Sequence, residues 1–286
     1  MSCRPTTVER GYADTRFGQS HYYRAIAPHQ PRRPLVCFHM SPWSGAYFAP
    51  LLAAMGGDRP ALAIDTPGYG NSDPPPEPAS IEDYAAAMGD VLDALGIDEF
   101  DLLGDRTGAK IALEVARRRP RQTARLVLVS PVVWTAAELS QRREFAPETP
   151  SADGSHLASL WVLSAALSMQ ERSLEMLADI FPTRLQQNDI AHWGRRAAAN
   201  YHEVEVLTQL AKPILVLRPR DDLWSLTGRI GEYLIDPQSR ILELPEWGYD
   251  FLQAKAAETA GLLRDFLDVA ALSPGVPAPG PAAGRR

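Results

Sequence analysis

Arg106 occupies the centre of Gly104-Asp105-Arg106-Thr107-Gly108, between a short apolar run and a stretch of helical period. Glycines two before and two after a residue let the chain turn sharply from strand into helix, with the central residue strained at the apex. An arginine there is a permanent cation with donors only, so it cannot attack a carbonyl. Burying it demands a carboxylate partner. Asp105 adjoins it, and Asp221-Asp222 follows a late strand. Two roles stay open: a plug paired with Asp222 or Asp105, or a clamp for a substrate carboxylate, enolate or phenolate. Tyr249 follows Gly248 just before the last helix. A phenol of pKa roughly 10 is a poor general base at neutral pH. It can hydrogen-bond Asp222 or donate a proton. The N–H of Thr107 at the helix start, with one from the His39-Met40-Ser41 loop, would form an oxyanion hole. His39 itself is read as structural first and as an acid/base second.

Short apolar runs and helical stretches alternate around these residues. Strands are expected near 35–38, 61–64, 100–103, 126–129, 214–217 and 241–244, with a hint of strand over Thr15–Tyr23. Helical spacing covers Tyr47–Met55, Ile81–Leu95, Ala109–Arg118 and Leu252–Phe266. Strands alternating with helices of this length predict a mostly parallel sheet covered on both faces. From about 135 to 207 the alternation stops, and Leu157–Met169, Ser173–Ile180 and Ile190–Asn200 show helical spacing alone. The expected organisation is a core of 1–134 and 208–272 with a helical lid over 135–207. The Pro/Gly/Ala-rich tail 273–286 has nothing to pack and is expected to be disordered.

Four patterns in order resemble the α/β-hydrolase superfamily over roughly 15–270. They are Phe38-His39-Met40-Ser41-Pro42 after a strand, Asp65-Thr66-Pro67-Gly68-Tyr69-Gly70-Asn71-Ser72, the Gly104–Gly108 frame, and Arg220-Asp221-Asp222 followed by Gly248-Tyr249. The resemblance implies an α/β-hydrolase fold with an oxyanion loop, a nucleophile elbow and a triad. It places Arg106 at the nucleophile position, Tyr249 at the histidine position and Asp222 at the acid position, so the family's ester-hydrolysis mechanism does not carry over. The pair Asp105-Arg106 also resembles the elbow of fluoroacetate dehalogenases, in which an Asp nucleophile is followed by Arg and then Gly. Here Thr107 intervenes, and the glycine frame favours Arg106 at the apex.

The 286 residues carry a formal charge of −6, which argues against nucleic-acid binding and against a polybasic membrane surface. Cys3 and Cys37 support neither a disulfide framework nor a zinc site. No metal and no cofactor are expected, nor is a signal peptide or spanning segment, so the expected location is the cytoplasm. His156, His192 and His202 fall in the lid, and Trp161, Trp193 and Trp224 are candidate cavity-lining aromatics. The reading is an enzyme acting without a serine nucleophile on a small, partly apolar, anionic molecule. Its reaction would be hydrolysis, C–C cleavage, decarboxylation or cyclisation, in a monomer or homodimer. The alternatives are an inactive ligand- or partner-binding relative, and an Asp105-dependent dehalogenase or epoxide hydrolase.

Overall fold

The runs Leu35–Phe38 and Ala61–Ile64 are buried at every position, which only a sheet covered on both faces allows. In the computed structural model, which describes residues 6–27, 32–141, 149–168, 172–186 and 189–269, they are central strands of one sheet. The strands are β1 (Val8–Thr15), β2 (Gly18–Ala25), β3 (Leu35–Phe38), β4 (Ala61–Ile64), β5 (Phe100–Asp105), β6 (Thr123–Val129), β7 (Ile214–Pro219) and β8 (Arg240–Leu244). Their order is β1-β2-β4-β3-β5-β6-β7-β8, parallel from β4 to β8. The antiparallel β1 and β2 pair with each other, and β2 pairs with β4. Every expected strand is present. The hint over Thr15–Tyr23 resolves into a hairpin whose turn falls at Arg16 and Phe17. Glu9, Arg10, Asp14, Gln19 and Arg24 dilute its apolar alternation, so the sequence signal there was weak.

Alternation along the strands feeds two cores. Val36, Phe38, Leu62 and Ile64 face α2 (Ile81–Ala94) and α3 (Thr107–Arg118), while Leu35, Cys37, Ala61 and Ala63 face the helix α1 (Ala49–Met55) and the C-terminal helix. A reciprocal Ser80–Asp83 capping box starts α2. The C-terminal helix is divided at Lys255 into Phe251–Ala254 and Ala256–Leu267. Between β6 and β7 the described chain forms helices only, over Ala136–Gln141, Ser155–Ser168, Leu174–Leu185, Trp193–Ala199 and Glu203–Leu207. The tail 273–286 lies outside the described residues. No helix among the described residues is long and apolar enough to cross a membrane.

The connection from β3 runs to β4 on one side, whereas β5 lies on the other side of β3. Strand order reverses there, and in open α/β sheets such a point opens a crevice at the strands' carboxyl ends. Phe38 pairs with Gly104 in register, so the chain leaving β3 emerges beside the chain leaving β5.

A candidate active site around Arg106

Strand β5 ends at Asp105 and helix α3 begins at Thr107, leaving Arg106 alone at the corner with φ 52° and ψ −105°. Such a backbone costs a non-glycine residue about 1–3 kcal/mol and needs enforcement from its surroundings. Hydrogen bonds supply it, from Arg106 N to Val129 O at 3.0 Å and from Ala109 N to Arg106 O at 3.1 Å. The flanking glycines are sterically required. A Cβ on Gly104 would stand 2.6 Å from the Ala109 Cα, and one on Gly108 2.9 Å from the His39 carbonyl oxygen.

The guanidinium of Arg106 turns to the carboxyl end of β7. Its Nη2 donates to Asp221 Oδ2 at 2.8 Å and to Asp222 Oδ1 at 2.5 Å, and Nη1 reaches Asp222 Oδ2 at 3.4 Å. Its plane lies over the Tyr249 ring, 4.5 Å from the centroid. Burial opposes the guanidinium charge, but Tyr249, Asp221 and Asp222 outweigh it and the pKa moves upward. The two aspartates are unequal: the Asp221 side chain is 2% exposed and that of Asp222 48%. Asp221 also accepts from Ser130 Oγ at 2.6 Å and from Leu223 N at 2.9 Å. The anchored carboxylate is therefore Asp221, which the sequence reading set beside Asp222 without a role. Ser130 was missed altogether. It directly follows β6 and has a positive φ of 45°, a conformation no local sequence signal announced.

Tyr249 does not bond Asp222. Its Oη donates to Met40 Sδ at 3.1 Å, because the Arg106 guanidinium fills the space between phenol and carboxylate. Burial raises the phenol to about 12, which keeps it protonated at neutral pH.

His39 is fully buried, with Nε2 accepting from Thr66 N at 2.9 Å and Nδ1 bonded to Met40 O at 2.9 Å. Burial lowers its pKa, with Asp65 opposing. Both ring nitrogens are consumed, so the acid/base role considered for His39 is withdrawn; the ring orients the Met40 carbonyl. Met40, Ser41 and Thr107 do line the cavity above the sheet. As the first residue of α3, Thr107 has an N–H with no intrahelical acceptor. The Asp65–Ser72 loop is structural. Asp65 accepts from Gly45 N at 2.6 Å and Asn71 N at 3.0 Å, and bonds His21 Nδ1 at 2.9 Å.

Asp105 is 3% exposed and is not among the described residues lining the cavity, so it cannot attack a ligand held there. Burial lifts its carboxyl to about 8; Arg106 pulls it down, and Asp221, Asp250 and Asp222 push it up.

The cavity measures about 270 Å³. Its charged lining is Arg106, Lys110, Arg184 and Arg195 against Asp222. Lys110 Nζ bonds Glu203 at 2.7 Å, and Arg184 Nη1 bonds Ser164 Oγ at 2.9 Å. Trp43, Trp134, Leu163 and Leu167 give it an apolar wall. None of the expected Trp161, Trp193 and Trp224 lines it. Trp161 packs edge-on against Phe181 at 5.2 Å, and Trp224 lies under Arg218 at 4.3 Å. His156, His192 and His202 are likewise absent from its described lining. Sequence spacing could mark these residues as helical, but not which face of each helix would turn inward.

A mostly parallel sheet with a strand–apex–helix elbow at its carboxyl ends defines the α/β-hydrolase class of fold. The family model for the alpha/beta hydrolase fold matches residues 33–187, and the chain belongs to that family. It is 27% identical over 194 residues to RutD of Rhizobium rhizogenes, provisionally named a carbamate hydrolase, covering 63% of this chain and 71% of the relative. It is 28% identical over 165 residues to carboxylesterase YbfK of Bacillus subtilis, covering 57% of this chain and 54% of that one. Among solved structures, the enol-lactonase of Burkholderia xenovorans superposes with a TM-score of 0.73 at 19% identity, over 90% of this chain and all of its own, a likeness of fold alone.

Proposed function

We propose that this protein takes a small, partly apolar, anionic organic molecule into the Arg106 cavity, beneath a helical lid over 135–207, and transforms it without a serine nucleophile. One observation carries the reading: among the described residues, four cationic side chains, Arg106, Lys110, Arg184 and Arg195, line the cavity together with a single carboxylate, Asp222. Glu203 and Asp221 offset part of that charge from outside the lining, and a ligand carboxylate or enolate would offset more. The tryptophans and leucines opposite suit an apolar body. Developing negative charge would be met by the Thr107 N–H and a donor of the Met40–Ser41 loop. Proton movement is assigned to Asp222, a reading supported by its half-exposed side chain in the cavity lining. The dehalogenase reading is set aside, because Arg106 and not Asp105 holds the apex.

A second reading, binding without turnover, is favoured by the double carboxylate grip on Arg106 and by the Tyr249 phenol spent on Met40. One experiment separates them. Calorimetric titration with phenylacetate and with its neutral isostere phenylacetamide is expected to show binding of the carboxylate only. Arg195→Gln is expected to weaken it about tenfold, or about 1.4 kcal/mol. Equal affinities for acid and amide would sink the anionic-ligand proposal. Turnover is read in parallel by NMR on a panel of lactones, enol esters and β-keto acids. Product formation abolished by Asp222→Asn supports the enzyme, and saturable binding with no product on any panel member supports the second reading.

A further inference from the structure

The opposite edge of the sheet carries a cavity that the Arg106 site does not use. Arg33 precedes β3, Arg125 lies at the start of β6, Lys212 precedes β7, and Asp236 and Gln238 precede β8. Together they border a space of about 250 Å³ at the strands' amino ends.

The charges there are incompletely matched. Arg125 is 5% exposed, yet its Nη2 donates only to neutral acceptors, Gln238 Oε1 at 3.3 Å and Val269 O at 2.8 Å. No described carboxylate forms an ion pair with it or with Lys212. Arg33 has Asp101 at 3.1 Å, but Asp101 also serves the buried Arg59 at 2.9 Å. Asp236 is the one acidic side chain in the described lining, and its Oδ1 accepts from Gln238 N at 2.8 Å. Burial and the Arg33 charge hold the Lys212 ammonium below its usual range with Asp236 opposing, and burial depresses Arg125 with Asp101 and Asp236 opposing.

A buried guanidinium without a carboxylate is costly unless an anion compensates it. Guanidinium forks and an ammonium converging on one space suit a tetrahedral oxyanion, which offers several acceptors to several donors. Ala124, Pro213 and Leu267 add an apolar wall that a bare ion would leave uncovered. We infer that the amino-terminal edge of the sheet is a second ligand site, which takes the phosphate group of a small organic phosphate monoester between Arg33, Arg125 and Lys212. The inference is independent of any chemistry at Arg106.

The test is calorimetric titration of the full chain with phenyl phosphate, inorganic phosphate and benzoate at constant ionic strength. Phenyl phosphate is expected to bind saturably and at least tenfold more tightly than benzoate. Lys212→Gln is expected to weaken it at least tenfold, and Lys212→Arg to restore it. Arg125→Gln should do the same as Lys212→Gln; should that buried substitution fail to fold, the Lys212 pair still decides. Arg195→Gln, which weakens anion binding in the other cavity, should leave the Lys212-dependent phenyl phosphate binding unchanged. Inorganic phosphate binding as tightly as phenyl phosphate would overturn the monoester assignment. Absence of saturable binding, or binding lost in Arg195→Gln and kept in Lys212→Gln, would overturn the site.

Discussion

Arg106 is gripped by two carboxylates that differ in exposure, and the difference fixes their separate worth. Asp221 is 2% exposed and holds Arg106, Ser130 Oγ and Leu223 N together. Removing one partner of a buried pair costs about 3 kcal/mol or more. Asp222 is 48% exposed, and solvent-facing pairs contribute under about 1 kcal/mol. Asp221→Asn is therefore expected to destabilise by about 3 kcal/mol in urea unfolding and Asp222→Asn by less than about 1; equal losses would mean the grip is shared. Asp105 sets a pH dependence of its own. Burial holds its folded-state pKa at about 8, whereas an unfolded Asp titrates near roughly 3.9. Between those values the native chain binds more protons than the unfolded chain, so this group's stabilisation is complete below about pH 4 and is lost as pH rises through about 8. Asp105→Asn stays neutral throughout. Its stability relative to the natural protein is expected to climb between pH 5 and pH 9, followed by thermal melts, and a flat difference would contradict the raised pKa.

At the scale of the element, the elbow is a steric object before it is a chemical one. A Cβ on Gly108 would strike carbonyl groups of the chain leaving β3, which cannot swing away as a side chain can. Gly261 offers the contrast: it lies within the C-terminal helix, and a Cβ there meets nothing within 4 Å. Gly108→Ala is expected to destabilise by about 3 kcal/mol through overpacking. Gly261→Ala should stabilise by about 0.5–1 kcal/mol through helix propensity. The pair, measured side by side in urea, distinguishes a crowded corner from a general intolerance of glycine replacement. The described helices between β6 and β7 meet the elbow through Lys110 and Glu203, whose 2.7 Å bond ties α3 to the helix Glu203–Leu207.

At the scale of the whole molecule, the two cavities lie at opposite edges of one sheet, the Arg106 site at the carboxyl ends and the Lys212 site at the amino ends. Ligands at separate sites stabilise a fold independently, each by about 2.7 kcal/mol at a hundredfold excess over its Kd. Phenylacetate and phenyl phosphate are thus expected to raise the melting temperature by shifts that add. Shifts that fail to add, with either ligand displacing the other, would show one shared site.

The sequence by itself determined the sheet and the corner. Fully apolar runs such as Leu35–Phe38 can live only between two covering layers, and the spacing of Gly104 and Gly108 leaves one residue for the apex. It also put Arg106 at the centre of the elbow frame, because residue types at motif positions are read without coordinates. It did not determine the partners. That Tyr249 bonds Met40 rather than Asp222, that Asp221 is the buried acid, and that Ser130 braces it depend on side-chain directions where segments 91 to 209 residues apart converge, and no local pattern encodes them. The cavity's cations, Lys110, Arg184 and Arg195, are dispersed over helices whose polar residues look alike in sequence. Only packing onto the sheet decided which of them turned inward, since burial and charge balance are properties of the assembled layers rather than of any one element.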